Sequence, residues 1–273
     1  MLEILKAILF GIVEGITEWL PVSSTGHMIL LNEFLHLNVS AAFWEMFLVV
    51  IQLGAILAVV VLYWKKLIPF TLRAGFRWDK PTLSMWLKIL ISCVPAAIVG
   101  LLWDDELNRL FYNYQTVAVM LILFGVVFIL LERRNKGRIP TCESIGQLTY
   151  RAAIWIGLFQ LIAAVFPGTS RSGATIVGAL VIGVSRGVAA EYTFFLAIPV
   201  MLGASLLKLA QFGFGFTGAE AMLLASGMIA AFLVSLGAIT FLIRFVKKHD
   251  FTAFGWYRIA LGLFVVLYFS LAR

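Results

Sequence analysis

The chain has 273 residues, 62% of them hydrophobic and 13% charged, with a formal net charge of +7. Soluble domains run near ~25% charged, so this balance excludes a soluble globular protein and points to an integral membrane protein. Long, continuously apolar runs exclude a β-barrel, whose strands alternate, and leave helices, which satisfy their own backbone in lipid. The positive charge is expected of polytopic loops and gives no reason to invoke nucleic acid. Cys93 lies in an apolar run and Cys142 in a charged loop; neither has a metal-like neighbour, and a disulfide framework is not expected. No signal peptide is expected either: the first apolar stretch carries Glu14 and Glu18 and lacks a small-residue cleavage site.

In chain order, an apolar run over 2–20 is broken by "PVSSTG" and resumes over 27–37. Runs at 43–64, 84–103 and 117–131 follow, the last short unless it begins near Phe111. The charged loop "ERRNKGRIPTCES" divides the chain. Then 151–166 is broken by "PGTSRSG" and resumes over 174–184, and runs at 188–209, 219–243 and 256–272 complete the chain. A span needs about 20 apolar residues, roughly twice what 27–37 and 174–184 offer. Each broken pair therefore reads as a re-entrant helical hairpin, and the other six runs as spans.

Both halves share one plan, a hairpin and three spans. An offset of 146 residues aligns Ala7 with Ala153, Gly11 with Gly157, Pro21 with Pro167, Ser24 with Ser170 and Glu45 with Glu191, and sets Glu14 on Gln160. The expectation is an all-α polytopic fold, one membrane domain over 1–273, with a first repeat at 1–135 and a second, inverted one at 147–273. Charge bias agrees with inversion. Lys65, Lys66, Arg73, Arg77, Lys80, Arg133, Arg134, Lys136, Arg138, Arg244, Lys247 and Lys248 fall on one side. The other side holds Lys6, Arg109, Lys208 and Arg273, with the acidic "DDE" at 104–106. Both termini then face outside, and the hairpins dip in from opposite sides to meet near the midplane, where inverted-repeat proteins build sites.

The first tip reads "EGITEWLPVSSTGH". Glu14 and Glu18 share a helix face. Two like charges there are tolerable around a cation or a shared proton, and a divalent metal with a phosphate suits two carboxylates. The plain alternative is a wet crevice beside an amphipathic helix. Ser24 or Thr25 would cap the short helix. With Ser24 as cap, His27 lies one turn on, a candidate acid/base beside a candidate nucleophile. At the second tip, Thr169, Ser170 and Ser172 crowd a helix start, a ready anion site. Arg171 adds a planar fork suited to phosphate oxygens. A buried arginine needs an anion: a bound phosphate, or Glu14 or Glu18 across the tip contact. Glu45, Glu191 and Gln52 are candidates to brace the tips through hydrogen bonds, against plain structural pairing.

These stretches resemble a known family, the bacterial undecaprenyl-pyrophosphate phosphatases of the bacitracin-resistance type. "EGITEWLPVSSTGH" is similar to its E-x-x-x-E motif and "PGTSRSGAT" to its P-G-x-S-R-S-x-x-T signature; "FWEMFLVVIQLGAILAVV" and "AAEYTFFLAIPVMLGAS" are similar to intervening segments. The resemblance covers nearly the whole chain; the loops near 66–84 and 132–149 match least. It implies a bacterial plasma-membrane hydrolase of the C55 polyprenyl diphosphate that recycles the peptidoglycan carrier lipid, confers bacitracin resistance and depends on Mg²⁺ or Ca²⁺. It carries roles onto Glu14, Glu18, Ser24 and His27, and onto Ser170, Arg171, Ser172 and Thr175. In that reading Glu14 and Glu18 hold metal, Arg171 and the second-tip hydroxyls stabilise the developing charge, and His27 relays a proton. The attacking group is Ser24 or a metal-bound water.

Broken helices at the midplane also describe secondary transporters. A lipid-phosphate flippase, or an ion-coupled carrier using Glu14 and Glu18, is therefore the rival class; it has no need of a Ser–His pair. Small residues suited to helix packing allow a homodimer without singling out a face.

Overall fold

The computed structural model describes residues 1–71, 77–213 and 215–271. Arg73 and Arg273 lie outside the described residues, as do the side chains of Asp104 and Asp105. The chain opens with α1 (Leu2–Thr17), a break, and α2 (Ser24–Phe34). Next, α3 (Ala41–Val50) and α4 (Gln52–Leu67) form one apolar rod through Ile51. A short antiparallel pairing of Phe70–Thr71 with Arg77–Trp78 leads to α5 (Lys80–Phe111) and α6 (Tyr114–Asn135). A 3₁₀ turn at Ile145–Gln147 precedes α7 (Tyr150–Val165) and α8 (Arg171–Val181). The chain ends with α9 (Arg186–Phe212), α10 (Gly218–Val246) and α11 (Thr252–Leu271).

Among the described residues, six helices are long and apolar enough to cross a membrane: Ala41–Leu67, Lys80–Trp103, Tyr114–Asn135, Arg186–Phe212, Gly218–Val246 and Thr252–Leu271. They coincide with the six runs expected from sequence, and the short run at 117–131 extends to a full span. Their starts are set by local chemistry. Ser40, Asp79 and Asn113 each accept the N–H three residues on, from Phe43, Thr82 and Thr116, and Thr217 with Glu220 forms a capping box. α5 bends at Trp103, where φ is −134° and ψ 15°. Leu101, Val119, Ile229, Leu233 and Leu267 are exposed on the outer surface. In water that would be an adhesive patch; against lipid it is the matching surface.

Packing repeats in pairs. α1 lies along α10, α7 lies along α5, and α6 lies along α11. Both α1 and α7 approach backbone to backbone through a glycine: Gly11 meets Gly227 O, and Gly157 meets Ser92 O. A Cβ at Gly157 would sit 2.6 Å from that oxygen, so no larger residue fits there without displacing a helix. Lys6 Nζ donates to His36 O at 2.6 Å, and Asn38 N–H donates to Glu3 Oε2 at 2.8 Å. The free ends of α1 and α2 therefore stand together. At the other pair, Thr141 N–H donates to Gly183 O and Ser185 N–H to Cys142 O, each at 2.9 Å. The end of α8 thus lies against the loop that enters α7.

Candidate active site

The breaks between α1 and α2 and between α7 and α8 share one backbone device. Ser23 (φ 73°) and Ser170 (φ 70°) are the non-glycine residues with positive φ among the described residues. Each is an N-cap whose hydroxyl accepts a backbone N–H, Gly26 N at 3.3 Å and Gly173 N at 3.1 Å. Such conformations are uncommon for serine and cluster at functional sites. This corrects two expectations. The cap of α2 is Ser23, not Ser24 or Thr25. Ser23 therefore answers to Ser170, one residue off the offset that aligned Pro21 with Pro167, and Ser24 holds the place of Arg171 as first residue of its helix. Gly168 (φ 90°) makes the second turn, close against the backbone of Val117.

The structure brings the tips together. Arg171 donates to Glu18 Oε1 from Nη2 at 2.9 Å and Nε at 3.3 Å, and from Nη1 to Thr193 O at 2.9 Å. Ser24 Oγ donates to Glu18 Oε2 at 2.9 Å. Glu18, 6% exposed, thus joins the serine of one tip to the arginine of the other. Ser172 Oγ donates to Leu20 O at 3.3 Å and lies 3.1 Å from Ser170 Oγ. Thr175 Oγ1 donates to the carbonyl of its own helix at Arg171, 3.0 Å away, or to Thr193 Oγ1 at 2.8 Å. Thr169 is fully buried, and its hydroxyl has no partner among the described residues.

His27 is placed differently from the expected Ser24–His27 pair. Its Nδ1 lies 2.7 Å from Ser23 O, and its Nε2 lies 2.7 Å from the Tyr257 hydroxyl, with the two rings stacked. A carbonyl only accepts, so Nδ1 carries the proton and, in the neutral ring, Nε2 accepts from Tyr257. The partner of Ser24 is Glu18. Tyr257, 230 residues along the chain from His27, had no signal in the sequence. Tyr257→Phe should cost turnover roughly three- to tenfold, the worth of one hydrogen bond, with KM unchanged; steady-state kinetics will show it.

The proposed braces do not reach the tips. Phe43, Met46, Phe47 and Val50 form the buried stripe of α3, and Glu45 lies off it, exposed. Glu191 pairs with Lys66 at 2.6 Å. Gln52 is half-buried at the start of α4 and makes no hydrogen bond to either tip among the described residues. Gln160 is buried; its Nε2 donates to Ser92 O at 3.3 Å, while its Oε1 has no partner among the described residues.

The residue that the sequence reading passed over is Arg258 of α11. It is wholly buried. Its Nη1 donates to Pro21 O at 3.2 Å, and its Nη2 reaches Thr169 O (2.8 Å), Gly168 O (2.9 Å) and Met120 O (3.4 Å). One guanidinium therefore ties both tips to α6 and lies over the Phe124 ring. A charge inside an apolar run was the available signal.

Glu14 is also buried, and its Oε1 has no partner among the described residues. An orphan carboxylate oxygen one turn from Glu18 fits a hard divalent cation that takes one or two carboxylates and completes its shell with phosphate and water. No group of three or more His, Cys, Asp or Glu placed to hold a metal exists among the described residues, so other oxygens, from phosphate, water, hydroxyl or backbone carbonyl, would complete the shell around Glu14 and Glu18.

An apolar helical bundle with a polar centre enclosed between two interrupted helices defines a polytopic membrane protein of the kind that includes membrane-embedded enzymes and carriers. The chain belongs to the bacitracin resistance protein BacA family, whose model matches residues 7–264. It is similar to the undecaprenyl-diphosphatase of Desulfitobacterium hafniense, 67% identical over 270 residues, which cover 99% of this chain and 97% of the relative. It is also similar to undecaprenyl-diphosphatase 1 of Clostridium acetobutylicum, 66% identical over 98% of each chain, and to the undecaprenyl-diphosphatase of Acetivibrio thermocellus, 59% identical over the full length of both.

Proposed function

We propose that hydrolysis takes place where the two tips meet, with Glu18 as the hub. The chain is an undecaprenyl-diphosphatase, a bacterial multi-pass membrane hydrolase associated with bacitracin resistance; full-length relatives of that activity at 67% and 66% identity support it. It takes undecaprenyl diphosphate to the monophosphate and inorganic phosphate. The observation that carries the site assignment is the contact of Glu18 with both Ser24 and Arg171.

In this reading the prenyl tail stays in the bilayer and the diphosphate enters between the tips. Ser24 Oγ attacks the terminal phosphorus, and its proton passes to Glu18. The phosphorus–bridging-oxygen bond breaks, the monophosphate lipid leaves, and water then frees phosphate from the serine. Arg171, with Ser170, Ser172, Thr169 and Thr175 around it, offers donors to the oxygens on which charge develops. The Arg171 fork can exchange Glu18 for phosphate because both present anionic oxygens, provided that the Ser24 proton or a cation then offsets the charge left on Glu18. His27 takes up or returns a proton through Tyr257. Glu14, with Oε1 of Glu18 beside it while Oε2 faces Ser24, would hold a Mg²⁺ or Ca²⁺ ion, which supplies charge neutralisation on phosphate.

The inverted repeat, with 1–135 as one half and 147–273 as the other, is part of the same proposal. It is supported by the matched pairings of α1 with α10 and α7 with α5, and by the two serine caps. The ends of the first broken helix lie beside the start of α10 and the end of α8 lies beside the end of α10, which supports hairpins that enter from opposite faces. Lys66, Arg134, Arg138 and Lys247 lie around cavities that share the 137–146 loop. This basic end faces the cytoplasm by the charge rule, which puts both termini and the site opening outside.

The test is phosphate release from undecaprenyl diphosphate by purified protein in detergent. Wild type should release phosphate, EDTA should suppress it, and Mg²⁺ or Ca²⁺ should restore it; activity that persists in EDTA removes the metal. Ser24→Ala should lower turnover at least ~10³-fold. If most activity survives, the attacking group is water and Ser24 only orients Glu18.

A further inference from the structure

Lys88 of α5 is 7% exposed. Eight residues past the helix start at about 1.5 Å each, it sits roughly 12 Å in from Lys80. Among the described residues it has no hydrogen bond and no ion pair; its neighbour is the Tyr150 ring, with Nζ 5.6 Å from the centroid. A ring face attracts an ammonium but does not neutralise it. A charge set this deep is ordinarily paired; among the described residues no anion pairs with Lys88, and its Nζ is not sealed off but opens to the cavity the residue lines.

Lys88 lines a cavity of about 660 Å³ at the basic end, between the first turns of α5 and α9 and the 143–146 loop. Thr82, Ser84 and Ser144 line it with hydroxyls. The cavity's other lysine, Lys66, is committed to Glu191 at 2.6 Å. Glu143 is exposed on the loop and makes no ion pair with Lys88, so water and salt screen it. One turn deeper the wall is closed. Ser92 Oγ donates to Ala153 O at 2.7 Å or shares a hydrogen bond with Tyr192 OH at 2.8 Å, and Gln160 donates to Ser92 O. The cavity is thus separated from the Glu18–Arg171 centre.

We propose that this cavity is a second anion site that holds a phosphate group against Lys88. One ammonium and several hydroxyl donors suit a group with several acceptor oxygens. Two sources share that chemistry: inorganic phosphate, and the phosphate of an anionic lipid headgroup at the membrane surface, where basic pockets between helices take such headgroups.

The experiment compares wild type, Lys88→Met and Lys88→Arg. Methionine keeps the volume without a charge, and undiminished undecaprenyl diphosphate turnover by Lys88→Met reports intact folding. In one arm, equilibrium dialysis of delipidated protein in detergent counts bound radiolabelled phosphate. In the other, native mass spectrometry counts the phosphatidylglycerol molecules retained from nanodiscs. Lys88→Met should lose one bound equivalent relative to wild type, in the first arm if free phosphate is the ligand and in the second if a lipid is. Lys88→Arg should keep it. Equal counts for wild type and Lys88→Met in both arms overturn the site, and so does an arginine variant that behaves like methionine. Phosphate held at the catalytic centre contributes equally to wild type and Lys88→Met, so failure of the catalytic reading leaves the difference intact.

Discussion

Replacing Arg171 by lysine should cut kcat about 10²–10³-fold, the usual cost of losing a preorganised donor to the transition state. Lysine retains the charge that compensates Glu18, so folding should change little. What it loses is shape. Arg171 spans Glu18 Oε1 and Thr193 O at once, from nitrogens on different edges of a rigid plane. An ammonium on a flexible stem cannot hold a carbonyl on one side and meet phosphate oxygens on the other. The loss should fall on kcat more than on KM, since the ground-state diphosphate is still met by a cation. Steady-state kinetics with undecaprenyl diphosphate decide the matter; turnover within a few-fold of wild type would mean that charge alone suffices and would sink the fork.

Arg258→Met should lower stability by about 2–4 kcal/mol, because buried carbonyls at Pro21, Gly168 and Thr169 lose their charged donor. Thermal unfolding in detergent reports this. Turnover should also fall, by about 10²-fold, because small displacements of a reacting group are costly and this residue sets the distance between tips. Arg258→Lys should lie between the two, since one ammonium cannot reach carbonyls on two tips and α6 together. An unchanged unfolding temperature with turnover within twofold of wild type would show that the tips meet without it. The two substitutions separate roles: Arg171→Lys harms chemistry with little effect on folding, and Arg258→Met harms both.

Much of this architecture is legible in the sequence. Long apolar runs report spans, and the six assigned as spans, the short one at 117–131 included, coincide with the six long apolar helices among the described residues. Proline, glycine and serine in "LPVSSTG" and "FPGTSRSG" report the breaks, because those residues end or cap helices. Glu14, Glu18 and Arg171 stand out since ionised groups are costly in hydrocarbon. Other features were hidden for identifiable reasons. The cap fell on Ser23 rather than Ser24 because two adjacent serines look alike in sequence, and only φ separates them. Glu45 and Glu191 align in sequence, yet burial sends one to the surface and the other to Lys66. Composition reports that a charge is present, not where its helix face points.

The sequence by itself determined that this is a helical membrane protein with two interrupted helices, and which ionisable residues lie beside the interruptions. Those are properties of short stretches: hydropathy over a span, backbone preference at a turn. The tertiary structure decided the partnerships: Ser24 with Glu18, His27 with Tyr257, Arg258 with both tips. Each of these joins positions on separate helices or turns, and distance between helices is set by the packing of their small residues. No local rule carries that information, so the division of labour at the site became visible only once the helices were packed.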